Sequence, residues 1–279
     1  MEKRETRRQK IRAKKRRRII AVSIMSILLI ALVFGLIKFF GWIFKGKTPV
    51  SANLGPSLPL PGDPVTSPPK YYDYTMPVPE FKPVNDGYFD KVLFIGDSRI
   101  AGLELYGLLG GADILTSSSL SIDEAFDKKF SCSGKEVTLV EQVASNTYTS
   151  IYIMFGLNEL GWNYSTAFQN EYSEFVSELK NLAPGSSIYL QSIIPVTSGK
   201  SGNPSYLTNE KIAEYNLIIK NIAKDNKVYY IDLNEVMADA TGALDGKFAE
   251  ANGTSLTKTG GTEWVNYLKS HVVDKEIYS

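Results

Sequence analysis

A parallel α/β domain carried behind one membrane-spanning helix is the architecture this sequence predicts. Three features predict it: short apolar runs that alternate with longer amphipathic stretches after residue 88, one uncharged run of 19 residues near the N-terminus, and a proline-rich segment between them. The 279-residue chain is 43% hydrophobic and 22% charged, which is ordinary globular composition and excludes collagen-like, fully disordered and multi-span membrane classes.

Residues 1–18 form a basic tip, with 11 Lys and Arg against Glu2 and Glu5, so the near-neutral chain is a basic end on an acidic body. A nucleic-acid partner has no electrostatic support outside that tip. From Ile19 to Ile37 no residue is charged, and a helix of that length covers about 28 Å, close to the hydrocarbon thickness. Aromatic residues extend the segment, so 19–44 reads as a signal anchor in the lipid bilayer. Arg12–Arg18 before it fix a cytoplasmic N-terminus and put the C-terminal domain outside the cell membrane. A cleaved signal peptide ending near Ala52 is the alternative, although the apolar run exceeds the usual length.

Ten of the thirteen prolines fall between Pro49 and Pro83, which prevents sheet pairing and helix continuation. Residues 45–87 therefore read as a solvated extracytoplasmic tether, able to reach roughly 130 Å when fully extended. Tyr71, Tyr72 and Tyr74 are the residues that could instead dock on the domain. Residues 88–279 make that domain. Apolar runs at 91–95, 150–155, 187–193 and 227–231, with a weaker one at 113–116, read as strands. The stretches 166–182 and 208–225 carry apolar positions at helical spacing, as in Phe168, Tyr172, Phe175, Val176 and Leu179. Strand and helix in alternation give right-handed crossovers and a parallel sheet covered on both faces.

In such sheets the chemistry lies at the carboxyl ends of the strands. Gly96-Asp97-Ser98-Arg99 follows the first apolar run and places the Ser98 hydroxyl at a strand-to-helix turn, a position suited to a nucleophile. Gly156-Leu157-Asn158-Glu159 follows Ile151–Phe155, and its glycine turn can present the Asn158 amide as an oxyanion donor. Asp97, Arg99, Gly156 and Glu159 are the further candidates for lining a substrate cleft.

These two blocks resemble those of the SGNH (Gly-Asp-Ser-Leu) hydrolases, and the resemblance runs through Gln191–Pro195 to Gly260 and Trp264. It implies a three-layer α/β/α domain around a five-stranded parallel sheet, flavodoxin-like in plan, and serine esterase chemistry without a cofactor. It places Asn252 and Ser255 where the family carries its catalytic Asp and His, and Ser119 at the backbone oxyanion donor after the second strand. Neither replacement titrates near neutrality, whereas an imidazole does. Conventional hydrolysis is therefore expected to be lost.

Other bases are poorly placed. His271, the single histidine, lies 16 residues beyond Ser255 and is expected on the surface near a helix C-terminus. Glu159, Asp97 or Asp232 could serve only if burial raised the carboxyl pKa, and both aspartates are expected to cap turns or helices. Cys132, the only cysteine, reads as a loop thiol, and no metal cluster is apparent. Asn252-Gly253-Thr254 and Asn163-Tyr164-Ser165 match glycosylation triplets and receive no role. The expected function is a tethered SGNH-fold protein that binds a cell-envelope carbohydrate, its acyl ester or a protein partner. The alternatives are an active esterase or O-acyltransferase with another base, and a non-catalytic scaffold of a membrane assembly.

Overall fold

The computed structural model describes residues 71–278. The basic tip, the bilayer segment 19–44, the neighbourhood of Ala52 and the tether up to residue 70 lie outside the described residues. No helix among the described residues is long and apolar enough to cross a membrane.

Five strands build the main sheet: β1 (Val92–Gly96), β2 (Asp113–Thr116), β5 (Ser150–Met154), β6 (Ser187–Gln191) and β7 (Tyr229–Ile231). A separate antiparallel hairpin holds β3 (Lys129–Cys132) and β4 (Lys135–Thr138). The main sheet is parallel throughout, in the order β2-β1-β5-β6-β7. Each of β1, β5 and β6 is buried along its whole length, which is why these strands read as continuous apolar runs rather than as alternations.

Alternate residues of each strand enter two different cores. Leu93, Ile95, Ile151, Ile153 and Leu190 join α3 (Ser165–Leu182) and α4 (Asn209–Asn226) on one face. Val92, Phe94, Tyr152, Met154 and Tyr189 join α1 (Ser98–Leu105) and α6 (Lys258–Ser270) on the other. The result is the three-layer α/β/α arrangement that the resemblance implied. Two shorter helices, α2 (Leu139–Ser145) and α5 (Asn234–Met237), complete the set. The helices read from periodicity, 166–182 and 208–225, fall within one residue of α3 and α4.

The hairpin and α2 were not anticipated. Their signals are short: a Ser133-Gly134 turn with both φ values positive, at 50° and 78°, matches the twist of a two-residue hairpin. A capping box between Thr138 and Glu141 opens α2. Cys132 accordingly ends a strand rather than lying in a loop. It is buried, with its sulfur 3.6 Å from Asp113 Oδ1, and burial pushes its thiol pKa up.

The last part of the tether is not solvated. The Val78 amide donates to the Tyr230 carbonyl at 2.8 Å, and the Phe81 and Val84 amides donate to the carbonyls of Ser270 and Lys269. Tyr72 sets its ring edge-on to Tyr74, Tyr229 and Tyr278. Proline removes sheet donors, but the intervening amides remain free to pair, and aromatic burial outweighs the freedom lost by docking. Residues 71–87 thus belong to the domain.

Candidate active site

The strand order reverses between β1 and β5, since β2 lies to one side of β1 and β5 to the other. A crevice at the carboxyl ends of the strands is the general consequence. Ser98 follows β1 and Asn158 follows β5, so the two residues flank that point.

Ser98 is the first residue of α1 and is exposed. Asp97 caps the helix, its Oδ1 accepting the Arg99 amide at 2.9 Å, and is 1% exposed. Burial raises the Asp97 pKa, with Arg99 opposing the shift. The Arg99 guanidinium is itself buried and donates to the carbonyls of Ile194 and Pro195, bonding the nucleophile turn to the segment that follows β6. Burial pulls its pKa down to about 10. Among the described residues, no side chain is hydrogen-bonded to the Ser98 hydroxyl.

Gly156 has φ +125°, and a Cβ there would lie 2.3 Å from Ile193 Cδ1, so the turn after β5 admits no side chain. Its amide donates to Glu159 Oε2 at 2.9 Å, while Glu159 Oε1 accepts the Ile122 amide at 2.7 Å. Glu159 is fully buried. Burial lifts its carboxyl pKa to about 7, Asp97 adds to the rise, and the hydrogen bonds from Ile122 and Gly156 oppose it. The carboxylate joins two loops.

Asn158 is exposed, and its amide nitrogen donates to the Leu120 carbonyl at 2.8 Å and, more weakly, to that of Ser118 at 3.4 Å. The amide therefore rests on the loop carrying Ser119, which is also exposed. Thr116 Oγ1 donates to the Asp97 carbonyl at 2.8 Å and ties the base of this loop to the nucleophile turn.

Asn252 and Ser255 share one exposed turn. Asn252 Oδ1 accepts the amides of Thr254 and Ser255 at 2.9 and 2.8 Å, and Asn252 Nδ2 donates to Ser255 Oγ at 2.9 Å. The Thr197 amide donates to the Gly253 carbonyl at 3.0 Å, fixing this turn to the loop after β6. α6 then runs back along the sheet, held by Trp264 Nε1 donating to Gln191 Oε1 in β6.

Of the predicted site residues, Ser98, Ser119, Asn158, Asn252 and Ser255 stand exposed on turns at this end of the domain. Asp97, Arg99, Gly156 and Glu159 do not line a cleft: all four are buried beneath those turns, where the Asp97 and Glu159 carboxyls and the two terminal nitrogens of Arg99 bond backbone groups. Asp232 caps a turn, its Oδ1 accepting from Asn234. His271 is not on the surface. It is 6% exposed, stacks on Tyr267 at 3.7 Å and binds the Tyr267 carbonyl through Nδ1. It lies beyond the far end of α6, whose 13 residues span about 20 Å. Arg99 as the link to the loop after β6, and Glu159 as a loop clamp, were not foreseen, because both roles depend on partners distant in sequence.

The profile of the GDSL-like lipase/acylhydrolase family matches residues 94–252. Among solved structures the chain is similar to a Streptococcus pneumonia protein proposed to be a platelet activating factor. Identity is 20%, coverage 67% of this chain and 84% of that one, and the TM-score 0.51. It is also similar to a GDSL-like lipase from Bacteroides thetaiotaomicron, at 15% identity, 67% and 88% coverage and a TM-score of 0.49. An acetyl-xylooligosaccharide esterase variant from Geobacillus Stearmophilus aligns at 14% identity, 66% and 94% coverage and a TM-score of 0.48. No curated protein matches the sequence.

Proposed function

Because the chain belongs to the GDSL-like lipase/acylhydrolase family, we propose that it is a member silenced for ester hydrolysis, whose site binds a cell-envelope carbohydrate or its acyl ester. Residues 19–44 tether the domain outside the membrane in this reading. One observation carries the loss of hydrolysis: Asn252 Nδ2 donates to Ser255 Oγ. A catalytic pair needs the reverse polarity, a carboxylate accepting from an imidazole whose second nitrogen takes the serine proton. Here an amide donates to a hydroxyl, and neither group can hold that proton near neutral pH. Loss of the base in a serine hydrolase costs about a millionfold in turnover.

Glu159 is a carboxyl near the site whose pKa, lifted by burial to about 7, would suit a base. Both its oxygens, however, accept backbone amides, and leaving Ser98 a proton acceptor would strand one of them. The carbohydrate class rests on outward topology and on the family resemblance.

The test is release of 4-nitrophenol from 4-nitrophenyl acetate by the purified full chain in detergent, beside Ser98→Ala. Equal rates are expected. A Ser98-dependent rate of ordinary enzymatic size, on the order of 1 per second or more, would overturn the reading in favour of an active esterase.

A further inference from the structure

We propose that a cavity at the amino ends of β6 and β7 is a binding site for a phosphomonoester, at the opposite end of the sheet from Ser98 and independent of how that serine is read. The cavity measures about 350 Å³ and lies where distant parts of the chain meet. α3 ends on it with Lys180 and Asn181, and Ser187 opens β6 within it. Lys227 stands between α4 and β7, and Lys275 opens the 3-10 turn Lys275–Tyr278. Tyr74 of the docked N-terminal segment closes one side, its ring stacked on Tyr229 at 5.7 Å.

Lys180, Lys227 and Lys275 line this cavity, and among the described residues no carboxylate does. Asp73, Asp225 and Asp274 neighbour the lining residues in sequence but are engaged elsewhere: Asp73 accepts from Thr75, Asp225 pairs with Lys224, and Asp274 accepts the Glu276 amide. Lysines near helix C-termini have an ordinary role in meeting the last carbonyls. Lys180 plays it, its Nζ donating to the Asn226 carbonyl at the end of α4. Lys227 and Lys275 make no ion pair among the described residues. Each helix end carries about half a negative charge, so α3 and α4 together offset roughly one of the three lysines and leave about two positive charges.

The backbone at Lys227 sharpens the point. Its φ and ψ are 53° and 51°, the left-handed conformation that glycine adopts freely at the end of a helix and other residues adopt at a cost. A lysine here gives up that ease and supplies charge to the cavity. Ser187 points to a ligand independently. It is 7% exposed and lines the cavity, yet its hydroxyl has no hydrogen-bond partner among the described residues, whereas a buried hydroxyl ordinarily finds one. Ammonium groups only donate, and the hydroxyl is free to donate beside them, so the matching ligand is a compact group of acceptors. A phosphomonoester has three such oxygens and a charge of about −1.5 to −2 near neutral pH, close to the excess that the lysines leave.

Isothermal titration of the full chain in neutral detergent tests this, with glycerol 3-phosphate as the soluble probe and phosphatidic acid in mixed micelles as the lipid one. The basic tip also attracts phosphate, so the readout is the change between variants. Lys227→Gly should weaken binding about fivefold, the worth of one half-exposed ion pair, without lowering Tm, because glycine suits that backbone. Ser187→Ala should weaken it by about as much, through one lost hydrogen bond. Lys227→Gly with Lys275→Ala should weaken it about 25-fold, two independent losses multiplied. Lys135→Ala, exposed on β4, is the surface control and should change nothing. Equal lysine dependence with both probes identifies a soluble phosphomonoester as sufficient; lysine-dependent binding that is tighter for phosphatidic acid identifies a lipid headgroup. Binding of both probes that is unaltered in Lys227→Gly and in the double variant belongs to the tip and overturns the site, as does a wild-type chain that binds neither.

Discussion

Glu159 offers a sharp test of the site's electrostatics, because opposing forces act on one carboxyl. Burial and the neighbouring Asp97 raise its pKa, while amide donors from Ile122 and Gly156 lower it, and the balance lies at about 7 against an ordinary 4.5. A carboxyl raised in the folded state binds its proton more tightly there than in the unfolded chain. Stability therefore falls as pH rises between the two values and levels off above the higher one. The difference corresponds to about 3 kcal/mol across that window, or roughly 6 to 12 °C in Tm for a domain of this size. The perturbation is Glu159→Gln, which cannot titrate and which turns an NH2 toward a backbone donor, so it is destabilised by a pH-independent amount. Urea unfolding followed by tryptophan fluorescence, from pH 4 to pH 9, gives both curves. Wild type should lose its advantage over the variant as pH rises from about 4.5 to about 7. A flat difference, or a wild type that gains on the variant with rising pH, would mean that the two amide donors outweigh burial and that the reasoning is wrong.

Two further outcomes are expected. Gly156→Ala should destabilise the domain by about 2 kcal/mol or more, since it adds strain at φ +125° to a clash with Ile193, and unfolding midpoints check this. A tag at the N-terminus should resist protease added to intact cells while the C-terminus is digested, as the basic run before residue 19 requires; digestion of the N-terminal tag would reverse the orientation.

Much of this architecture was legible because buried parallel strands leave unbroken apolar runs. Val92–Ile95 and Ile151–Phe155 could be read directly, and the turns after them carried the Ser98 and Asn158 motifs. The hairpin at 129–138 escaped because its four-residue strands alternate too briefly to signal a period. Docking of residues 71–84 stood only as the alternative at Tyr71, Tyr72 and Tyr74, for another reason: Tyr72 finds its partners at Tyr229 and Tyr278, far along the chain, and the local run of prolines reads as a solvated tether. At the site, the spacing of Asn252, Ser255, Gly260 and Trp264 disclosed which two residues stand in the base positions. It could not disclose that Glu159 is buried, because the amide that holds one of its oxygens comes from Ile122, 37 positions upstream.

The most direct measurement replaces the silent pair with a working one, Asn252→Asp together with Ser255→His, and follows hydrolysis of 4-nitrophenyl acetate with and without Ser98→Ala. The account predicts that a Ser98-dependent rate appears in the double variant and in neither single one, because the imidazole needs the carboxylate to hold its tautomer. A folded double variant as inert as the wild type would contradict the claim that a missing proton acceptor is what silences this serine.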